Sequence, residues 1–566
     1  MNDSKVKLTP VEHIKADSNY LRGTIVQSLF DSASGALAEA DTQLSKFHGF
    51  YQQDDRDVRE ERRQQKLEPD HQFMIRARVP GGVCSPQQWL DMDRIACCWA
   101  NGTLRLTTRQ AFQLHGVLKR DLKSSIAAIN HALLDTIAAC GDVNRNVMCS
   151  ALPEASDLHR EVFALAKSVS DHLTPHTTAY HEIWLSTDAG RKKVAGTADH
   201  EPIYGPTYLP RKFKMAFAIP PRNDVDLFSQ DLGFVAITGK EGLQGFNVTV
   251  GGGMGVTHGD AATYPRLADP LGFCTPDQVV EISEVVVKIQ RDHGDRSERK
   301  HARLKYTIDD RGLDWLHDEM ERQLGYRLQQ VKPFSFTHNG DLYGWQQGGD
   351  GLWHLGLFIE NGRVQDRDGV NQLAGLRAIA GILKGEFRLT PNQNIIISAV
   401  NESERAAIDQ LVHEYGLDTY RHFTPLRLHS MACVGFPTCG LSMAESERYL
   451  PGLVGRIETL LDKHGLSKQA ITIRMTGCPN GCARPYLAEI GLVGKGPGLY
   501  NLHLGAAFNG TRLNCKYRES VGEKEILDVL DGLFLDYSGN GLENEFFGDF
   551  LLRTGVVDEP EKEATA

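Results

Sequence analysis

No apolar run in this 566-residue chain approaches the roughly 20 residues that cross a bilayer, so no membrane span is expected. The opening Met1-Asn2-Asp3-Ser4-Lys5 is polar and does not begin a secretory core. Positive charge is in deficit: 62 Lys and Arg stand against 73 Asp and Glu, a net charge of −11, which argues against nucleic-acid or anionic-membrane partners. The 11 cysteines, an odd number in a long chain, make no disulfide framework, and a cytoplasmic setting is expected. A dinucleotide fingerprint is missing as well. Gly251-Gly252-Gly253-Met254-Gly255 comes nearest, but the position that must complete G-x-G-x-x-G is His258, so no nicotinamide or flavin site is expected. What remains is ordinary for a water-soluble globular chain, 41% hydrophobic and 24% charged, and long enough for three or more compact units.

Against this background four cysteines stand close together in sequence. Ala432-Cys433-Val434-Gly435-Phe436-Pro437-Thr438-Cys439 gives C-x5-C, and Gly477-Cys478-Pro479-Asn480-Gly481-Cys482 gives C-x3-C. Neighbouring thiolates repel unless a cation lies between them. Neither pair is the C-x2-C of a zinc knuckle, and the closely spaced run of a bacterial ferredoxin is absent. Two separated pairs suit a four-cysteine iron–sulfur cluster held between two loops. A zinc site and unrelated buried cysteines stay open on spacing alone.

Elsewhere the pattern is of strands. Phe73, Ile75, Ala77 and Val79 share one face of an extended stretch, with Met74, Arg76 and Arg78 on the other. From Leu104 to His115 the expected strand sets Arg105, Thr107, Arg109, Gln113 and His115 on one side, with Leu104, Leu106, Phe112 and Leu114 mainly on the other. This stretch recurs: Gly102-Thr103-Leu104-Arg105-Leu106-Thr107-Thr108-Arg109-Gln110 matches Gly385-Glu386-Phe387-Arg388-Leu389-Thr390-Pro391-Asn392-Gln393. Arg76 to Gly82 is echoed at Leu355 to Gly362, and Phe246 to Gly255 more weakly at Ile490 to Gly498. The order is kept, so an internal duplication is expected, each half a small α+β unit followed by a larger one about a pseudo-twofold axis. Val279, Val280, Ile282, Val285, Val286 and Ile289 make an apolar helical stripe. Arg299 to Lys305 reads as a solvated helix face, residues 1–66 as a polar, mixed-charge arm, and 556–566 as a disordered acidic tail.

The pattern Cys433-x5-Cys439…Cys478-Pro479-Asn480-Gly481-Cys482 resembles the signature of the sirohaem-containing sulfite and nitrite reductases. The resemblance implies a [4Fe–4S] cluster on Cys433, Cys439, Cys478 and Cys482, with Cys482 also the axial ligand of the sirohaem iron. It implies an α+β, internally duplicated sulfite/nitrite reductase fold with ferredoxin-like half-domains and two larger α/β sirohaem/iron–sulfur domains. The chain then divides into an arm (1–66), a half-domain (67–135), a sirohaem and substrate domain (150–325), a second half-domain (335–410), a cluster domain (420–555) and the tail. Phe47-His48-Gly49-Phe50-Tyr51-Gln52-Gln53-Asp54-Asp55-Arg56-Asp57 resembles a segment of the NADPH-dependent haemoproteins within that family. This implies sulfite reduction to sulfide, with electrons from an NADPH-dependent flavoprotein subunit.

Sirohaem carries eight carboxylates and sulfite is an anion, so a dense cationic lining is required. Taken singly, each cation is more often a surface charge. Arg105 and Arg109, at strand spacing, suit bidentate grip on carboxylates. The resemblance maps a substrate-binding quartet onto Arg76, Arg145, Lys212 and Lys214, and places Gln113, His115, Asn480 and Cys482 with Arg105 and Arg109 around the cofactor. The rival readings are an assimilatory nitrite reductase with the same cofactors, and an iron–sulfur electron-transfer protein without a substrate.

Overall fold

Alternation becomes strand where one face can be buried. His71–Ala77 is such a strand, with Phe73 and Ile75 fully buried and Arg76 on the opposite face. The computed structural model describes residues 7–153, 156–176, 183–187, 190–195, 200–367 and 369–559. The expected single strand at 104–115 is instead a hairpin. Leu104–Leu106 and Phe112–Val117 pair antiparallel, and the Thr107 N–H closes the turn on the Ala111 carbonyl at 3.0 Å. The reason is Gln110. It takes a left-handed φ of +51°, and its buried amide donates to the carbonyls of Cys149 and Leu389, both at 2.9 Å.

Two small antiparallel sheets follow from the repeated sequence, and each borrows an edge from the other half. The first runs Phe50–Asp54, His71–Ala77, Phe112–Val117, Leu104–Leu106, then Arg363–Val364 from the second half. The second runs Gly344–Gln347, Trp353–Leu357, Ile395–Val400, Glu386–Leu389, then Val83–Cys84 from the first. The pairings are reciprocal: Arg363 opposite Arg105, and Val83 opposite Arg388. The strand Phe50–Asp54 lies inside the segment assigned above to the arm, yet it pairs residue for residue with His71–Ile75. Its side chains after Phe50 are only half buried, which is why it reads as polar chain.

Two larger sheets repeat one another strand for strand. Met148–Cys149, Met215–Ala218 and Leu232–Gly239 are parallel, followed by antiparallel Gly242–Val250 and Asp269–Cys274. Ser430–Ala432, Ile473–Thr476 and Ile490–Gly496 are parallel, followed by antiparallel Leu499–Leu504 and Cys515–Val521. The echo of Phe246–Gly255 is therefore misplaced by one strand in the sequence reading. Ile490–Gly496 is the counterpart of Leu232–Gly239, and Gly242–Val250 corresponds to Leu499–Leu504. Short β-branched strands resemble one another too closely for composition to separate them. The helix Val279–His293 buries Val279, Ile282, Val285, Val286 and Ile289, as its stripe requires.

Two surface expectations change. Arg299 to Lys305 is not a solvated face: Arg303 is buried against Asp231, Arg299 pairs with Asp142 at 2.8 Å, and Lys305 is fully buried on the Gly253, Gly255 and Tyr264 carbonyls. Backbone carbonyls replace the water that the run seems to call for. Val557 is packed in the second large domain, so ordered chain extends into the segment read as tail; the rest of that tail, from 560, lies outside the described residues. Among the described residues no helix is long and apolar enough to cross a membrane.

The halves meet closely at two glycines. Gly82 (φ +76°) lies against the Leu389 carbonyl, and Gly362 (φ +73°) lies reciprocally against that of Leu106. A Cβ at either would meet a carbonyl oxygen in a left-handed conformation. Gly82→Ala and Gly362→Ala are each expected to destabilise by about 2 kcal/mol, read as a lowered denaturation midpoint, with losses alike in the two halves.

Candidate functional site

The cysteines stand where two parallel strands end together. Ala432 is paired with Met475, so the chain leaves Ser430–Ala432 and Ile473–Thr476 at the same edge and enters two loops. The Cys433 N–H donates to the Met475 carbonyl at 3.1 Å; Met443 and Ala444 both donate to Gly477, at 2.7 and 3.1 Å. The Gly477 N–H reaches Cys433 Sγ at 3.3 Å and Asn480 Nδ2 reaches Cys478 Sγ at 3.5 Å. All four thiols are free. Burial, then the charges of Cys482 and Cys439, pushes Cys433 up to about 12. Burial, then Cys478 and Cys482, does the same for Cys439. Cys478 is raised by burial and by Cys482. Such a set ionises together only around a cation. No three His, Cys, Asp or Glu among the described residues are grouped as one ion requires. Four thiols spread around a cluster need no such close approach, and these donors fit that use better than a zinc site.

The glycine-rich turn rejected above as a nucleotide site abuts the second cysteine loop. The Val256 N–H donates to the Pro479 carbonyl at 3.0 Å, and a Cβ on Gly481 would meet the Met254 carbonyl at 2.8 Å. Cys482 is exposed, and Thr108 Oγ1 donates to its carbonyl at 2.9 Å, joining the loop to the Leu104–Val117 hairpin.

That hairpin carries a polar row. Gln113 pairs with Arg76 on one side and with Arg105 on the other, and Arg105 pairs with Arg363, so the four share one face. Glu447 neutralises both Arg105 (2.9 Å) and Arg363 (2.7 Å), and Arg105 also donates to the Ala432 carbonyl at 2.9 Å. Arg105 thus holds the strand end before Cys433. Among the described residues the Arg76 side chain has only Cys140 Sγ as a hydrogen-bond partner, at 3.1 Å. Burial opposes its charge, but Cys140, Tyr51 and Cys482 more than offset this and hold its pKa above the ordinary value.

Arg145, Lys212 and Lys214 are brought to one side by a short parallel bridge. Phe213 is fully buried opposite Asn144, its N–H donating to Val143 and its carbonyl accepting from Arg145 at 2.9 Å. Alternation then turns Arg145, Lys212 and Lys214 the other way. Burial, then Arg211 and Arg303, brings Lys212 down to about 7. Lys214 is held well below the ordinary lysine range by burial, then by Lys212 and Arg109. Among the described residues none of Arg76, Arg145, Lys212 and Lys214 has a carboxylate partner within ion-pair distance. The buried arginines around them do: Arg303 with Asp231, and Arg474 and Arg484 with Asp226.

The duplication sharpens this contrast. Strand register makes Gly356, Leu428, Ala470 and Thr472 the counterparts of Arg76, Arg145, Lys212 and Lys214. None is charged, whereas scaffold positions such as Arg105 and Arg388, or Gln110 and Gln393, are kept. Ser150 likewise stands at the position of Cys433. The cations belong to one half and the thiols to the other.

His115 is buried with both ring nitrogens unpartnered, and burial followed by Arg363 and Arg105 keeps it neutral. Arg109 is tied to Gln230 Oε1 (2.8 Å) and the Asn146 carbonyl (2.7 Å), leaving its buried Nε free; burial, then Arg145 and Arg484, lowers it to about 9. Unsatisfied donors beside Arg76 and Arg105 fit a carboxylate-rich ligand. Sequence reasoning missed Tyr51 and Cys140, which flank Arg76, with Tyr51 pushed up to about 12 by burial and Cys140. It also missed Glu447 and Arg56, whose partners Arg105 and Cys439 lie hundreds of residues away.

Comparison with known proteins addresses the family and the fold. The model for the nitrite and sulphite reductase 4Fe-4S domain matches residues 165–328, in the first repeat, and that for the nitrite/sulfite reductase ferredoxin-like half domain matches 64–132 and 346–415. The sulfite reductase [NADPH] hemoprotein beta-component of Myxococcus xanthus is 58% identical over 560 residues, covering 99% of each chain. That of Geobacillus kaustophilus is 58% identical over 553 residues, covering 97% of this chain and 96% of its own. The NirA protein of Mycobacterium tuberculosis shares the fold, with a TM-score of 0.78 at 24% identity, covering 97% of this chain and 96% of that one. By identity over nearly its whole length and by the domain models it matches, the chain belongs to the nitrite and sulfite reductase family, among the sulfite reductase hemoprotein beta-components.

Proposed function

We infer that this chain reduces sulfite to sulfide, adding six electrons and releasing three waters, with electrons delivered by a separate NADPH-dependent flavoprotein. One observation carries the reading. Cys482, the last of the four thiols, lies close enough to Arg76 and Lys212 for its charge to act on both. The names of the relatives supply the substrate and the NADPH-linked partner.

Cys433, Cys439, Cys478 and Cys482 would hold a [4Fe–4S] cluster, with Cys482 shared with a sirohaem iron and Arg109, Gln113, His115 and Asn480 around the macrocycle. When bound, that pair of groups would relay the electrons and supply the redox-active iron. The chain's own residues then have two tasks. Arg76 and Arg145 stabilise the sulfite oxygens and the negative charge that accumulates there. Lys212 and Lys214, both depressed toward neutrality, can also release protons, and six protons must leave with three oxygens as water. Arg105 acts at one remove, through the strand end before Cys433.

Lys212→Ala is expected to keep the haem spectrum and lower kcat/KM for sulfite by about 10²-fold; unchanged turnover would remove this lysine from the site. With a pKa near 7 the Lys212 charge is present below that pH and lost above it. The kcat/KM for sulfite should therefore fall as pH rises through neutrality, and Lys212→Arg should move that fall to higher pH. Comparing the two proteins cancels the titration of sulfite itself. Cys482→Ser should abolish both cluster and sirohaem absorption in the purified protein, and retention of both would refute the shared ligand. Nitrite turnover measured beside sulfite turnover decides between the two substrates of the family.

A further inference from the structure

The segment read from sequence as a polar arm crosses the first cysteine loop, and one residue makes most of the contact. The Arg56 N–H donates to the Pro437 carbonyl at 3.3 Å. Its Nη1 donates to the carbonyls of Cys439, at 3.2 Å, and Ser442, at 2.6 Å. The guanidinium lies over the Phe436 ring, 4.4 Å from its centroid. The next residue, Asp57, fastens the same segment to Arg448 at 2.6 Å, beyond the loop. Pro437, Cys439 and Ser442 thus converge on one residue roughly 380 positions earlier in the chain, Pro437 on its backbone N–H and the other two on a guanidinium seated on the ring of Phe436.

This is more than the loop needs to be covered. Asp54 on the same segment is engaged bidentately by Arg59 at 2.7 Å on both arms. Among the described residues Arg56 has no ion-pair partner; burial and then Arg59 lower its pKa, opposed by the charges of Asp54 and Cys439. A half-buried cation with no carboxylate in direct contact is thus fixed on the carbonyl of a cluster-ligand candidate. Hydrogen bonds and net charge around an iron–sulfur centre are among the levers that set its potential.

We propose that Arg56 is a positioning residue for the iron–sulfur centre: it clamps the Cys433–Cys439 loop and its fixed charge raises the reduction potential of the centre that loop holds. The proposal rests on the four-cysteine reading above. Reduction adds one electron, and so one negative charge, to the centre; Arg56 stabilises the reduced form over the oxidised one. The proton stays on the guanidinium throughout. The arm therefore takes part in setting the driving force for electron entry, although none of its residues is a ligand.

The test uses the full-length holoprotein with Arg56→Gln and Arg56→Lys, measuring iron and acid-labile sulfide, then the cluster midpoint potential by EPR-monitored titration. Arg56→Gln should retain the cluster and shift its midpoint downward, while Arg56→Lys stays near the unsubstituted value. Loss of the cluster in Arg56→Gln with retention in Arg56→Lys also supports the proposal, because charge is then what the loop requires. An intact cluster with an unshifted midpoint in Arg56→Gln overturns it. Equal shifts or equal losses in the two variants overturn it too, since shape rather than charge would then matter. Unsubstituted protein devoid of iron and labile sulfide overturns the underlying functional reading, and this proposal with it.

Discussion

Gathering cations where no carboxylate of the chain reaches them is costly, and the rest of this structure depends on that arrangement being tolerated. An unpaired charge out of water costs several kcal/mol, and lysines respond by giving up their protons. Lys212 and Lys214 are displaced in that direction, while the arginines cannot follow. Under the proposed function, an anion from outside the chain would relieve the tension. Meanwhile the surrounding scaffold is scrupulous about its own charges: Asp226 holds Arg474 and Arg484, Asp231 holds Arg303, and Glu447 holds Arg105 and Arg363. The contrast between paired and unpaired cations, rather than the number of cations, marks the site.

Duplication explains how such a site is assembled from two halves. The large sheets place equivalent strand ends at equivalent positions, one leading to Ser150 and the other to Cys433. One half kept the cations, the other the thiols, and the hairpin of the first half meets the cysteine loop of the second at Thr108 and Cys482. Residues that hold the halves together, Gln110 and Gln393 or Gly82 and Gly362, survive in both. Function is asymmetric on a symmetric frame.

Much of this was legible in the sequence because it is local. Each cysteine pair, the alternation at Phe73–Val79 and the repeat of Gly102–Gln110 at Gly385–Gln393 are read within a dozen residues or so, although the repeated stretch reads as one strand rather than the hairpin it forms. The stripe from Val279 to Ile289 declared its helix, and the mapping of Arg76, Arg145, Lys212 and Lys214 came from resemblance rather than from pattern. What escaped is what long-range contacts decide. Arg105 looks available until Glu447 lies beside it, and Lys305 looks solvated until three carbonyls enclose it. The strand Phe50–Asp54 is polar enough to pass for a tail, since only its pairing with His71–Ile75 makes it a strand. Counting strands by composition misplaced the echo at Ile490 for the same reason: register is a property of two segments at once.

The reciprocal loan of edge strands bears on where such a chain comes from. A single half would leave its small sheet without its fifth strand, and under twofold symmetry only an identical neighbour could return it, so a one-half forebear is an obligate homodimer. Asp226 and Arg484 then date the departure from that state. They occupy corresponding left-handed positions, each just ahead of a short helix and six residues before its strand, and they are joined to each other across the axis. In a homodimer the same residue would face itself there, acid on acid or base on base. An acid–base bond there requires two copies that differ in sequence, so it belongs to the diverged pair and not to a symmetric forebear.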